Sequence, residues 1–130
     1  MPGAEPVAHR VTLTDTECAY EGDTRFSSTE TFEAEIVNES SKLGAFEIAK
    51  LDEEHAFAEV EAYVASELQR IAKGEFTGPP VWMTLGERAQ LEPGQRGMLV
   101  STVTPGTWVL WCAQEHPPTR LFLLPALELT

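Results

Sequence analysis

The chain has 130 residues, 42% of them hydrophobic, and a formal net charge of −12 at pH 7. That length suits one domain with a hydrophobic core, and no apolar run approaches the roughly 20 residues that cross a bilayer as a helix. The charge repels phosphate, so nucleic acid and anionic membranes are poor partners; residues 1–75 carry 17 acidic and 6 basic side chains, the remainder 4 and 3.

Residues 1–6 (MPGAEP) read as a disordered leader ahead of a domain over 7–130. MPGAEPVAHR lacks the apolar stretch of a secretory signal, so the chain, taken as full-length, is expected in the cytoplasm. Val7, His9, Val11 and Leu13 share one face of a strand, which points His9 inward as a partly buried, hydrogen-bonded histidine. TDTECAYEGDTRF (14–26) is broken by Asp and Gly and reads as a bend with a short edge strand. TETFEAEIVN (29–38) alternates, with Phe32, Ala34 and Ile36 in and Glu33 and Glu35 out, the pattern of a half-buried antiparallel strand. Asn38-Glu-Ser-Ser turns the chain into LGAFEIAKL (43–51), a strand with Phe46 and Ile48 on one face.

Residues 52–73 form the one convincing helix. Phe57, Val60, Val64, Leu68 and Ile71 recur at three- and four-residue steps. Asp52 is the expected N-cap, Glu53 and Glu54 suit the first turn, Arg70 and Lys73 suit the last, and Gly74 stops the helix. His55 precedes the stripe and is expected exposed. Glu54, Glu61 and Glu67 are read as lying off the stripe and facing solvent. Beyond the stiff loop TGPPVW (77–82), short strands follow in VWMTL (81–85), GMLVSTV (97–103), TWVLWCA (107–113) and RLFLLPALEL (120–129), with turns at Pro93-Gly94 and Pro105-Gly106. About seven strands with closely spaced turns and one helix predict a mainly β fold, a Greek-key β-sandwich with an inserted amphipathic α-helix.

The order of short motifs is informative. LEPGQ (91–95) and TPGTWVLWC (104–112) resemble the end of a cupredoxin domain, the plastocyanin and azurin type, where a "PGTY"-like turn leads into a strand ending at a cysteine. FEAEIVNES (32–40) followed by AFEIA (45–49) resembles an earlier passage of the same fold. More narrowly, ECAYEG and the acidic mid-chain helix resemble copper-less, cupredoxin-like bacterial secreted proteins and lipoproteins. That resemblance implies a disulfide between Cys18 and Cys112. It also implies where a type 1 copper site would stand. Such a site takes two imidazoles and a thiolate, with a weak axial methionine. Cys112 falls at the thiolate position and His116 at the second imidazole. The first imidazole belongs in the loop before Phe46, which reads Lys42-Leu43-Gly44-Ala45, and Leu121 to Leu124 stand where the methionine belongs. Disulfide and copper exclude each other at Cys112.

The expectation is therefore a metal-free binding or accessory domain with a degenerate copper site and no cofactor, its partner an unknown small molecule or protein. If the disulfide forms, an oxidising compartment outside the cytoplasm follows. Two alternatives stay open. One is a copper protein for electron transfer or copper handling, using Cys112 and His116. The other is an enzyme of a biosynthetic pathway that reuses the emptied pocket, with His116 and Glu115 as acid and base. No nucleotide-binding glycine loop, zinc-protease or serine-hydrolase motif is present, which favours a protein that is not an enzyme. Trp108 and Trp111 lie three apart on a strand and so face opposite sides. One packs in the core; the other is expected on an exposed rim with Trp82, Pro79 and Pro80. Ala45, Trp82, Trp111 and His116 are the candidate lining of an apolar pocket there, at a loop end holding residues 42–45, 79–82 and 112–118.

Overall fold

A computed structural model describes residues 9–27, 31–75, 80–115 and 119–130. The leader expected over 1–6, Pro79 and His116 lie outside the described residues. Among the described residues ten strands and one helix follow one another: β1 (Arg10–Leu13), β2 (Cys18–Glu21), β3 (Arg25–Phe26), β4 (Phe32–Asn38), β5 (Gly44–Leu51), α1 (Phe57–Ala72), β6 (Met83–Leu91), β7 (Arg96–Ser101), β8 (Gly106–Gln114), β9 (Arg120–Leu123) and β10 (Leu127–Leu129). They form a four-stranded sheet, β2-β1-β4-β7, and a six-stranded sheet, β3-β10-β8-β5-β6, with β9 also on β8.

Both sheets are mixed. β4, expected in an antiparallel sheet, is antiparallel to β7 but parallel to β1, with Val11 opposite Ile36. Alternation reports which face is buried and says nothing about the direction of a neighbour, so only the first property is readable from the sequence. RLFLLPALEL is two strands, because Pro125 has no amide to donate. β9 pairs with the second half of β8 and β10 with the first.

The sheets close on each other through Val11, Leu13, Phe32, Ile36, Phe46, Ile48, Leu99 and Leu110, all at most 2% exposed. A second apolar cluster lies on the other side of the six-stranded sheet. There Ala49, Leu51, Met83 and Val109 take Val60 of α1, with Phe57, Val64, Trp82, Trp111 and Leu123 packed around them. The helix is thus a third layer on the outside of the sandwich. Its N-cap stands four residues later than the sequence suggests. Asp52 does not cap it: its carboxylate accepts the Glu54 amide at 3.1 Å and its carbonyl the His55 amide at 3.0 Å, closing a separate turn. The N-cap is Ala56, whose amide donates to the Glu59 carboxylate at 2.7 Å. At the other end Gly74 takes φ +78° and the Glu75 amide reaches the Arg70 carbonyl at 2.8 Å, a left-handed stop that suits glycine.

Candidate functional site

The first region to build is the strand end that the resemblance marks for a metal. Cys112 lies in β8, opposite Phe46 of β5 and Phe122 of β9, and is fully buried. Cys18 opens β2, opposite Leu13 of β1. The two cysteines are joined in a disulfide, Cα to Cα 6.2 Å, which ties the four-stranded sheet to the six-stranded one. Around it the end of the sandwich is closed by hydrogen bonds. Asn38, buried, donates through Nδ2 to the Lys42 and Leu91 carbonyls at 2.9 and 2.8 Å. Its Oδ1 accepts the Ser40 amide and hydroxyl at 2.9 and 2.7 Å. Asp15 accepts the Ser41 amide and hydroxyl, both at 2.8 Å, and Gln114 Nε2 at 3.0 Å. Those bonds, the Ser41 amide foremost, hold the Asp15 carboxyl below its usual range.

A type 1 copper does not fit the donors among the described residues. The Cys112 sulfur is bonded to Cys18 and offers no thiolate. Gly44, in the stretch before Phe46, has no room for a side chain: a Cβ there would stand 2.7 Å from Leu13 Cδ2 and 3.0 Å from Asn38 Nδ2. Leu13 is a buried core residue and the Asn38 amide is held by two carbonyls, so neither gives way cheaply. The segment expected to carry a methionine is β9, paired along β8. Among the described residues no three His, Cys, Asp or Glu side chains are grouped to hold a metal ion.

The second region lies under α1, and the sequence reading only half found it. A cavity of about 540 Å³ separates the helix from the outer face of the six-stranded sheet. Ala45 and Trp111, two of the candidate lining residues, do line it. Trp82 does not share their end of the sheet. It adjoins Met83, which pairs with Leu51, whereas Ala45 pairs with Gln90 and Ala113. Residues 42–45 and 80–82 therefore stand at opposite ends of β5. Trp111 is not on an exposed rim but beneath the helix, while Trp108 packs in the inner core, its Nε1 donating to the Thr104 carbonyl at 2.8 Å. His55, expected exposed, is partly covered. Its ring stacks on Trp82 at 4.6 Å and its Nδ1 meets Glu59 at 3.1 Å. His9 is as expected, partly buried, with Nδ1 2.6 Å from the Tyr20 hydroxyl and its ring between Phe26 and Phe32.

The polar wall of the cavity holds the largest departure from expectation. Glu67 is 1% exposed, not solvent-facing. It stands seven residues after Val60 and three after Val64, on the apolar stripe itself, and that spacing was the available signal. The Tyr63 hydroxyl donates to it, and Arg70 Nε lies 3.5 Å from its Oε1. Burial first, then this bond, push the Tyr63 hydroxyl well above its ordinary pKa. On the sheet side, Glu47 is pushed up by burial, Arg88 opposing and Glu115 adding. Arg88 bridges them, its Nη2 bonded to Glu115 and its Nε 3.9 Å from Glu47. Glu115, the candidate acid or base, is thus held in an ion pair with Arg88.

Two mixed sheets face to face, a strand that carries Cys112 two residues before its end at Gln114 and a helix carried outside the sandwich define a cupredoxin-like fold. A solved structure agrees. Auracyanin A, a "blue" copper protein of the green thermophilic photosynthetic bacterium Chloroflexus aurantiacus, superposes with a TM-score of 0.54 over 93% of this chain and 96% of that one, at 15% identity. The dithionite-reduced auracyanin of Roseiflexus castenholzii aligns over 89% and 94% at 20% identity, with a TM-score of 0.48. No family model and no curated protein matches the chain.

Proposed function

We propose that this chain is a metal-free cupredoxin-like binding domain that works in an oxidising compartment outside the cytoplasm. The observation that carries the reading is the bond between Cys112 and Cys18, which occupies the sulfur a type 1 copper would need. A disulfide persists where the surroundings are oxidising, which supports the location. The filled space beside Gly44 supports the same reading from the other side of the site. What replaces the metal is binding, of a small molecule or of a protein, with the disulfide holding the two sheets in register.

The test is a pair of measurements on the purified chain. Intact mass is expected at that of the dithiol chain less two hydrogens, with no alkylation under denaturing conditions. Addition of Cu(II) to this oxidised form is expected to give no intense blue absorption. A blue band, or two freely alkylated thiols in protein isolated without reductant, would overturn the proposal in favour of copper handling through Cys112.

A further inference from the structure

Protein interiors leave few voids larger than a water molecule. The space under α1, about 540 Å³, is instead of the size that takes small organic ligands. Its origin is local. Val60 packs down onto Ala49, Leu51, Met83 and Val109, so one part of the helix is seated. Elsewhere the floor is a cross-strand pair of alanines, Ala45 opposite Ala113, where two large side chains would otherwise meet Ile71 and Glu67 above. Small residues in register on the floor and a carboxylate on the roof make a chamber, not a closed core.

The chemistry of the wall selects the occupant. Apolar groups such as Trp111, Leu121 and Leu123 form most of it. Among the described residues the charged groups of the lining are Glu47, Glu67, Glu75 and Glu115 and one cation, Arg88. Arg88 is shared between Glu115 and Glu47, and Glu67 already takes the Tyr63 hydroxyl and lies 3.5 Å from Arg70, so four carboxylates stand against two guanidinium groups and the surroundings keep an excess of negative charge. The whole chain carries −12, which draws cations toward it and repels carboxylates and phosphates. A buried carboxylate is stabilised by a cation brought to it with hydrogen bonds, and a neutral apolar guest supplies none.

We infer that this chamber binds a small hydrophobic amine, its apolar part against Trp111 and the paired alanines and its ammonium group directed to the carboxylates of Glu47 and Glu67. The inference rests on reading the chain as a binding domain and names the ligand class. Burial raises the Glu47 pKa, and an ammonium group beside it would oppose that shift.

The experiment uses the oxidised chain at pH 7 and three probes of equal length: n-octylamine, n-octanol and n-octanoate. Binding is read by calorimetry and by Trp111 fluorescence, with Trp111→Phe identifying the signal. Octylamine is expected to bind about tenfold more tightly than octanol, the ratio a hydrogen bond to a charged group supports, and octanoate most weakly. Glu47→Gln is expected to bring octylamine down to the level of octanol while leaving octanol unchanged. Ala113→Phe, which fills the floor, is expected to abolish binding of both. Should that variant not fold, Ala45→Leu fills the same space from the neighbouring strand. Equal affinity for octylamine and octanol, a preference for octanoate, unchanged binding in the filled variants, or no binding by any probe would each overturn the inference. None of these outcomes touches the metal-free reading, which the copper titration decides separately.

Discussion

On its inner face the six-stranded sheet meets its partner sheet through Phe46, Ile48, Leu110 and Leu127, all fully buried, and a disulfide clamps the same layer. On its outer face it meets α1 at Val60 and then parts from it, leaving a chamber edged by carboxylates. Alternate residues of the same strands serve both faces: Leu110 and Cys112 point inward, Val109 and Trp111 outward. The inner face carries the architecture shared with the blue copper fold. The outer face carries the groups that this architecture does not need. Where the disulfide ties the two sheets, polar groups serve the closure of the sandwich; the side with carboxylates around open space is the one under the helix.

The sharpest way to break the inner layer is at the disulfide. Its half-cystines are 94 residues apart, a loop whose closure in the chain-entropy model is worth about 4–5 kcal/mol. Cys18→Ser with Cys112→Ser is expected to lose that much in urea denaturation. A loss under about 1 kcal/mol would mean that the sheets hold together without the clamp.

The two faces can then be compared by equal truncations. Leu110→Ala empties a fully buried inner site and is expected to cost about 3–5 kcal/mol. Leu123→Ala, on the wall of an existing cavity, removes a side chain that lacks partners on one side and is expected to cost about 1–2 kcal/mol. Similar losses at both sites would show that the outer layer is as tightly packed as the inner.

A smaller effect concerns the helix alone. Glu59→Ala removes the carboxylate that takes the Ala56 amide and pairs with His55. Amide exchange in the first turn, Phe57 to Val60, is expected to quicken, with a slight fall in Tm and no change in β8. Faster exchange in β8 would mean that the outer layer supports the inner one.

The inner layer was legible for a simple reason. Alternation in 32–38 and 43–51 names core residues without reference to anything distant, and Phe32, Ile36, Phe46 and Ile48 are all in the core. The Cys18–Cys112 pairing came from resemblance, since two cysteines alone do not say whether they meet. The outer layer was less legible because burial there depends on what lies on top. Trp111 reads as an exposed outward residue until α1 is placed over it. Glu67 reads as solvent-facing by residue type, although its spacing from Val60 and Val64 sets it on the buried stripe. Asn38 to Ser41 read only as a turn, because the groups that tie it into a hydrogen-bonded cap, Asp15 and the Leu91 carbonyl, and Gln114 beyond Asp15, are far off in sequence.

The smallest expected effect tests the inner layer by pH. His9 is wedged between Phe26 and Phe32, 4.8 and 4.9 Å from their ring centres, and burial lowers its pKa from 6.5, Asp23 opposing. A base whose folded pKa lies below its unfolded value takes up its proton more readily when the chain unfolds. Its contribution to stability is therefore complete above pH 6.5 and is lost as the pH falls through the folded value. Tm is expected to decline modestly between pH 7.5 and pH 5.5, and His9→Gln to flatten that part of the decline. Glu47 gives the opposite slope in the outer layer. Its raised pKa makes the folded state the tighter proton binder, so its part of the stability falls as the pH rises from the ordinary glutamate value of 4.5. Glu47→Gln should then remove a contribution of opposite sign from the pH profile. If both variants change the profile in the same direction, the two faces do not differ electrostatically in the way their geometry requires.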